Sequence, residues 1–361
     1  KAFFRHNTEN KMTRSLPAER RNYNMKQMLF IIFLFLLLGF CVTGCGQSNL
    51  MQTVEDPSRT AEQDTEPAGG TKERSTESGG TEEQSTQTGG TTEQEQESET
   101  QYMEQTEYIG TVPEEYFQSS ARRGRVVQVN YDCVDYTAGE TPITKTALVY
   151  LPYGYDETDS RTRYDILYLM HGWTMTANDF FGEGSGIVNM LDNMIEAGDI
   201  PPLIVVSVTF DAENQSQSFS RSVEELSVFH NDLREHLMPY IESHYHTYAE
   251  DVTPEAFQAS RSHRAFGGFS LGAVTTWYQF IYNLDYIQYF LPMSGDCWIM
   301  GTYGGRYYPE ETADYLEQIV RDSGLAENGF RIYQGIGTDD PIWDQTDSQI
   351  QEMFTRSTFH H

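Results

Sequence analysis

A serine flanked by two glycines is the strongest chemical signal in this sequence. Residues 268–272 read Gly-Phe-Ser-Leu-Gly and match the G-x-S-x-G pattern, with Ser270 at its centre. In this pattern the serine lies on a strained turn between a strand and a helix, and the glycines allow the close backbone approach. The turn exposes the hydroxyl and aims the N-terminus of the next helix at it, which favours a developing oxyanion. We therefore predict that Ser270 is a nucleophile and that the N–H of Leu271 is an oxyanion donor.

The sequence on either side of this pattern has the periodicity that the turn requires. Residues 265–269 are typical of a buried strand, and residues 272–282 are typical of a helix. A glycine-rich turn between a core strand and a helix, without any chemistry, is the alternative interpretation. The strand before and the helix after Ser270 favour the nucleophile.

A second short motif follows an apolar run near the start of the same region. His171, Gly172 and Trp173 come directly after the predicted strand 164–170, where α/β-hydrolases place their other oxyanion donor. We predict that the N–H of Trp173 is that donor. His171 is a candidate base, but the catalytic residues of this fold follow the order serine, acid, histidine. We therefore interpret His171 as a structural residue that holds the loop.

The elements that must position these residues alternate along the chain. The predicted strands cover residues 126–131, 146–151, 164–170, 203–208, 265–269, 289–294 and 330–336. The predicted helices cover residues 186–197, 229–243, 272–282 and 313–322, and a last helix begins near residue 346. An opening pair of strands followed by strand–helix alternation predicts an α/β domain over residues 110–361, with a mostly parallel sheet and helices on both faces.

The acidic charge of the chain is concentrated in one segment. The 361 residues carry a formal net charge of −30, and residues 51–110 hold fifteen Asp and Glu against three Lys and Arg. Gly-Gly-Thr recurs at residues 69, 79 and 89 without any apolar position for stacking. We predict a disordered linker over residues 46–109, with a tail that binds a cationic partner as the alternative. The acidic composition excludes nucleic acid as a partner.

The region before the linker resembles a processing signal. Residues 25–45 have a short basic stretch, an apolar run and a Val-Thr-Gly-Cys sequence that resembles a bacterial lipobox. We predict that Cys45 is lipidated and anchors the protein at the extracellular face of the bacterial cell membrane. A transmembrane anchor is the alternative, but the apolar run is shorter than the roughly 20 residues a spanning helix needs. We interpret residues 1–24 as an upstream or non-native segment.

Several further stretches together resemble the putative esterase family, which includes the feruloyl and acetylxylan esterases of carbohydrate esterase family one. The resemblance extends over essentially all of residues 110–361 and implies the α/β-hydrolase fold. Residue 273 departs from the family pattern, since Ala stands where the family has Gly. The stretches that carry the resemblance are residues 149–155, 168–172, 178–180, 229–233, 239–242 and 264–272.

This resemblance implies an acyl-serine mechanism that removes acyl groups from plant cell-wall polysaccharide and needs no metal or cofactor. The sequence Gly-Thr-Asp-Asp at 337–340 resembles the motif with the family's acid and assigns Asp340, with Asp339 as the alternative and a plain turn aspartate as a third interpretation. Trp298 is expected to line the acyl pocket or, alternatively, to be an ordinary core residue. Cys133 and Cys297 could form a disulfide or remain two buried thiols.

The family's catalytic histidine follows a last helix and a last strand. Here the sequence stops at His360 and His361, directly after the last predicted helix. We therefore expect the catalytic histidine to lie beyond residue 361, in a C-terminal part that this sequence lacks. The alternative functions are a non-catalytic glycan-binding surface lipoprotein on the same fold, and an esterase or acyltransferase for another ester, such as a siderophore or a small thioester.

Overall fold

A seven-stranded mixed sheet forms the centre of the domain. The computed structural model describes residues 112–159, 161–182, 184–325, 329–337 and 339–360. The strands lie in the order β1-β2-β4-β3-β5-β6-β7, and β1 and β2 are antiparallel whereas the other five run parallel. They are β1 Arg125–Asp135, β2 Thr141–Leu151, β3 Asp165–Met170, β4 Leu203–Val208, β5 Arg264–Phe269, β6 Tyr289–Met293 and β7 Arg331–Ile332.

Helices cover both faces of this sheet, as the sequence predicts. They are α1 Asn178–Phe181, α2 Ile187–Ala197, α3 Phe219–Asp232, α4 Met238–His244, α5 Pro254–Ala259, α6 Leu271–Tyr282, α7 Gly304–Tyr307, α8 Pro309–Ser323 and α9 Trp343–Phe354. Consecutive strand residues alternate between two apolar clusters, because neighbouring side chains of a strand point to opposite faces. In β3, Leu167 packs with α2, whereas Tyr168 packs with α3 and α6.

The long helix predicted at residues 229–243 begins ten residues earlier than expected. Ser218 caps the N-terminus of α3, where its hydroxyl accepts the N–H of Arg221. The five residues Leu233–Leu237 form a π-helical turn that leads into α4. Pro239 has no N–H to donate to a carbonyl one turn back, which is a physical reason for the wider turn before it.

The last predicted strand is shorter than expected. Only Arg331 and Ile332 pair regularly with β6, and Gly335 then makes an isolated bridge with Met293. Pro292 of β6 has no N–H, so the ladder of hydrogen bonds is interrupted beside it. The irregular edge nevertheless keeps the segment that follows Gly335 at the carboxyl end of the sheet.

Several predictions concern residues that the structure does not describe. The processing signal, Cys45, the acidic linker and His361 lie outside the described residues. Among the residues that are described, no helix is both long and apolar enough to cross a membrane. Cys133 and Cys297 are both buried and unpaired, and burial raises the pKa of each thiol to about 12. They are therefore two separate buried thiols in this structure.

A buried ion pair fixes the amino end of β5. The Arg264 guanidinium donates to both carboxylate oxygens of Glu242, at 2.6 and 2.8 Å, and both side chains are 1% exposed. Tyr168 and Thr247 donate to the same carboxylate. The charge of Glu242 is thus fully compensated only while the arginine is present.

Replacing this arginine should destabilise the fold strongly. We expect Arg264→Met to lower the free energy of unfolding by about 3–5 kcal/mol, because it leaves the buried Glu242 charge unpaired. Urea-induced unfolding measures the change. Arg321→Met is the control, since Arg321 forms a pair with Glu317 at 2.9 Å with its own side chain 61% exposed. A loss in Arg264→Met as small as in this control would contradict the prediction.

Candidate active site

Ser270 lies in a strained turn between β5 and α6. Its backbone has φ 58° and ψ −118°, outside the regions that L-residues normally occupy. The N–H of Ser270 donates to the carbonyl oxygen of Met293 at 2.9 Å, and this bond ties the turn to the end of β6. The serine itself is partly exposed. The structure therefore presents a strained, accessible hydroxyl at the carboxyl edge of the sheet.

The two glycines of the motif are required by contact distances. A Cβ on Gly268 would lie 2.5 Å from the carbonyl carbon of Gly272, and a Cβ on Gly272 would overlap the carbonyl oxygen of Met170. Gly295 is equally restricted, because its Cβ would lie 2.9 Å from the carbonyl oxygen of Ser270. The turn is therefore packed between the ends of β3 and β6 with no room for side chains.

The predicted oxyanion donors are the backbone N–H groups of Leu271 and Trp173. Leu271 is the first residue of α6, so its N–H has no acceptor within the helix. Gly172, the residue before Trp173, approaches the serine closely, since a Cβ on it would lie 3.2 Å from Cβ of Ser270. Among the described residues neither the Leu271 N–H nor the Trp173 N–H donates to another main-chain group. The structure thus places Leu271 directly after the serine and Gly172 against it.

His171 is held inside the loop rather than presented to a substrate. It is fully buried, with Nδ1 2.8 Å from the carbonyl oxygen of Gly172 and Nε2 2.8 Å from the hydroxyl of Thr209. Burial lowers the pKa of His171 to about 4. Because both ring nitrogens are engaged, this geometry supports the interpretation of His171 as a structural residue.

Asp340 lies on the segment that follows β7. Its carboxylate accepts the N–H of Ile342 at 3.0 Å, and it is partly buried, whereas Asp339 is exposed. The chain reaches this point after Gly335, whose carbonyl oxygen accepts the Ser294 N–H at 2.8 Å. Asp340 therefore follows the same carboxyl edge of the sheet as Ser270, two strands away, and no hydrogen bond joins the two residues.

The described histidines leave the base of the site unassigned. None of the seven forms a hydrogen bond with Ser270 or Asp340; they are His171, His230, His236, His244, His246, His263 and His360. His360 Nε2 lies 2.5 Å from the carbonyl oxygen of Phe354, at the end of α9. His360 therefore contacts the end of α9 and not the serine turn.

Trp298 belongs to a row of aromatic side chains beside the site. Its ring is only 6% exposed, and it lies 6.1 Å from Phe219 and 5.0 Å from Tyr303 between ring centroids. Phe219 in turn lies 5.2 Å from Trp173, which is 42% exposed. Within this row Trp173 is therefore exposed, whereas Trp298 is buried behind Phe219.

Sequence reasoning missed buried polar residues at this edge, among them Asp296, Thr209 and Asp211. Asp296 accepts the Trp298 indole N–H at 2.7 Å, and burial raises the pKa of its carboxyl to about 6. Thr209 directly follows β4 and contacts His171. The position of Thr209 after a predicted strand, at the same edge as His171, was the one available signal. In the described part of the chain no group of three or more His, Cys, Asp or Glu could hold a metal ion.

Comparisons with known proteins show the family to which the chain belongs. The sequence profile described as "Putative esterase" matches residues 140–360. Endo-1,4-beta-xylanase Y of Acetivibrio thermocellus is 36% identical over 241 residues, which are 67% of this chain and 20% of that protein. An endo-1,4-beta-xylanase/feruloyl esterase of Xylanibacter ruminicola is 29% identical over 51% of this chain and 23% of that protein. The chain thus spans about a fifth of the length of these curated relatives.

Solved structures show the same fold. A serine-to-alanine mutant of the feruloyl esterase module from Clostridium thermocellum, complexed with sinapinate, is 34% identical with a TM-score of 0.60, over 69% of this chain and 79% of that one. A structure described as FAE is 35% identical with a TM-score of 0.59 and the same coverage. Because the profile matches more than half of the chain and these relatives share its sheet and helices, the chain belongs to the putative esterase family and has the α/β-hydrolase fold.

Proposed function

We propose that this protein is a serine carboxylic ester hydrolase that removes feruloyl or acetyl groups from plant cell-wall polysaccharide such as xylan. One observation carries the proposal: Ser270 is strained and partly exposed at the N-terminus of α6, and Gly172, the residue before Trp173, lies against it. A strained serine turn costs free energy and has no evident use in a protein that only binds glycans. Among the alternatives, the geometry therefore favours the enzyme.

The proposed reaction passes through an acyl-serine. The hydroxyl oxygen of Ser270 attacks the ester carbonyl carbon while an imidazole takes its proton, and the oxyanion is bound by the Leu271 and Trp173 N–H groups. The intermediate collapses, and the sugar hydroxyl leaves with the proton from the imidazole. Water then attacks the acyl-serine with help from the same imidazole and releases the carboxylic acid. No metal or cofactor takes part.

The imidazole of this mechanism needs a carboxylate to hold its tautomer, and Asp340 is assigned that role. The described histidines have other partners, so the mechanism requires an imidazole from outside the described residues. Asp340 stands at the same sheet edge as Ser270, which is where the fold places the acid after the last strands.

The aromatic side chains around Ser270 suit a planar acyl group. Trp173 is exposed and follows Gly172, which lies against the serine, and Trp298 belongs to the same aromatic row. A similar solved module is complexed with sinapinate, and two curated relatives are named as xylanases. These observations support an aromatic acid esterified to xylan as the substrate, with a smaller acyl group as the variant that the same site could accept.

Cys45 is proposed to attach the protein to the membrane. A diacylated cysteine at the mature N-terminus and the acidic segment after it would hold the esterase at the extracellular face of the cell. Polysaccharide is too large to enter the cell, so a surface location fits the proposed substrate. The lipobox-like sequence before Cys45 supports this assignment.

Ser270→Ala should abolish ester hydrolysis. We expect kcat for methyl ferulate and p-nitrophenyl acetate to fall at least about 10⁴-fold, because the acyl-serine cannot form. Ser348→Ala on the exposed face of α9 is the control and should retain the wild-type rate. Release of ferulic acid from feruloylated xylan extends the measurement to the proposed substrate. Equal rates for Ser270→Ala and the wild type would exclude the mechanism.

The two neighbouring aspartates allow a matched test of the acid. Asp340→Asn should lower kcat by about 10³–10⁴-fold, because the amide no longer holds the imidazole in the correct tautomer. Asp339→Asn changes the same charge one residue earlier, on an exposed side chain, and should leave kcat near the wild-type value. Steady-state kinetics on p-nitrophenyl acetate compare the two. A large loss in Asp339→Asn alone would move the assignment to Asp339.

The two cysteines near the start allow a matched test of lipidation. Cys45→Ala should prevent incorporation of radioactive palmitate and release the esterase from the membrane fraction, because only this cysteine follows the lipobox-like residues. Cys41→Ala should leave both unchanged, because Cys41 belongs to the part that processing removes. Labelling in intact bacteria followed by fractionation gives the result. Palmitate incorporation that survives in Cys45→Ala would rule out this anchor.

A further inference from the structure

The peptide unit between Gly172 and Trp173 joins a hydrogen-bonded carbonyl group to the N–H that is predicted to bind the oxyanion. Its carbonyl oxygen lies 2.8 Å from Nδ1 of His171 and also accepts the Met175 N–H at 3.2 Å. A carbonyl oxygen can only accept, so Nδ1 carries the proton of this hydrogen bond. The N–H of Trp173 belongs to the same rigid plane. Whatever fixes the Gly172 carbonyl therefore also fixes the direction of the Trp173 N–H.

The other ring nitrogen of His171 accepts a hydrogen bond. Burial lowers the pKa of His171 to about 4, so the ring is neutral at physiological pH. With the proton on Nδ1, Nε2 is bare, and it lies 2.8 Å from the hydroxyl oxygen of Thr209. Thr209 is 2% exposed and is the donor in this contact. The hydroxyl of Thr209 therefore selects the tautomer in which His171 donates to Gly172.

Asp211 is the third residue of this hydrogen-bonded group, after His171 and Thr209. Its carboxyl Oδ2 lies 3.3 Å from the Thr209 hydroxyl oxygen, which also accepts the Asp211 N–H at 3.1 Å. The single Thr209 proton therefore has two possible acceptors, Nε2 of His171 at 2.8 Å and Oδ2 of Asp211 at 3.3 Å, and Oδ2 also lies 3.7 Å from Nε2. Burial, and after it the charge of Glu225, raises the pKa of Asp211 to about 7. Below that pH the carboxyl is neutral and a weak acceptor, so the Thr209 proton goes to His171.

The surroundings of Asp211 disfavour its charged form. Asp211 is 1% exposed and faces Glu225 of α3, whose carboxylate is paired with Arg221 at 2.7 Å. Lys145 of β2 is the nearby cation, but its ammonium donates to Asp232 at 2.9 Å. Oδ1 of Asp211 and Oε2 of Glu225 have no hydrogen-bond partner among the described residues. A second full negative charge there would be poorly compensated.

We propose that Asp211, Thr209 and His171 are positioning residues that hold the Gly172–Trp173 peptide so that its N–H donates to the oxyanion. The proposal rests on the proposed esterase function, in which Trp173 supplies that N–H. While Asp211 is neutral, Thr209 donates to His171 and His171 donates to the Gly172 carbonyl oxygen, and the first hydrogen bond polarises the second. None of the three touches the substrate. They act through the orientation of one backbone group, which must be correct in the transition state.

Substitutions at Thr209 test this proposal in the full-length protein. Thr209→Val keeps the shape of the side chain but removes the hydroxyl, and kcat for p-nitrophenyl acetate should fall about ten-fold with KM little changed. The reason is that an oxyanion contact exists only in the transition state, and removing one donor outright costs about 10²–10³-fold. Thr209→Ser restores the hydroxyl and should restore kcat.

Thr247→Val is the matched control for buried packing. Thr247 is also 2% exposed, and its hydroxyl donates to Glu242 at 2.9 Å, far from the oxyanion peptide along the chain and at the amino end of β3. Thermal unfolding of each variant separates stability from rate: Thr247→Val should lower Tm without changing kcat. A Thr209→Val variant with wild-type kcat, in an enzyme that Ser270→Ala inactivates, would overturn this proposal and leave the proposed function intact. Persistent hydrolysis by Ser270→Ala would overturn both.

The pH dependence of kcat tests the positioning role of Asp211. As pH rises through about 7, Asp211 loses its proton, and its carboxylate competes with His171 for the Thr209 hydroxyl. We expect kcat of the wild type to fall several-fold across this range. Asp211→Asn carries no charge at any pH, and its kcat should lack this fall. Identical profiles for the two proteins would remove Asp211 from the positioning role.

Discussion

The backbone of Ser270 is held at φ 58° and ψ −118°, and much of the domain's packing serves to keep it there. An L-residue in such a conformation costs of the order of 1–3 kcal/mol, so neighbouring contacts must over-determine it. The Ser270 N–H is tied to Met293, and Gly272 lies directly against the carbonyl oxygen of Met170. The strain is therefore sustained by three adjacent strands, β3, β5 and β6, rather than by the turn itself.

This constraint also explains why chemistry and stability lie at opposite ends of β5. The strand begins at Arg264, whose buried pair with Glu242 fixes the amino end, and it ends at Phe269, directly before Ser270. Six residues therefore connect a fully compensated buried charge to a strained hydroxyl. A strand anchored at one end can hold a strained turn at the other, since any movement along the strand would separate Arg264 from its partner.

The sequence was sufficient to predict the features of the fold that depend on a local pattern of residues. The strand–Gly-x-Ser-x-Gly–helix succession has only one geometry that avoids steric overlap, so the turn at Ser270 could be predicted together with the parallel sheet. The long helix was predicted too short because its start depends on the N-cap at Ser218, which the apolar pattern alone does not mark. The end of β7 was predicted too long because the missing N–H of Pro292 acts on the neighbouring strand, which a pattern along one segment does not reveal.

The site residues that could not be predicted from the sequence make contacts between segments that follow different strands. Thr209 and Asp211 follow β4, whereas the loop they contact follows β3, and only the register Met170 to Val208 brings the two strand ends side by side. Asp296 was missed for a similar reason, since its partner Trp298 was considered alone. Polar residues just after predicted parallel strands share one edge of the sheet. Contacts between them can therefore be predicted only when these residues are taken together.

The contrast between His171 and the base that the mechanism requires follows from the same physical chemistry. A general base must exchange a proton with its surroundings and needs a pKa near the working pH. His171 has neither property, because burial lowers its pKa to about 4 and both of its nitrogens are engaged. Those features make it a good fixed donor to a carbonyl oxygen. An imidazole near the serine is thus not by itself evidence for a base: burial and the partner of each nitrogen decide whether the ring moves protons or holds a peptide in place.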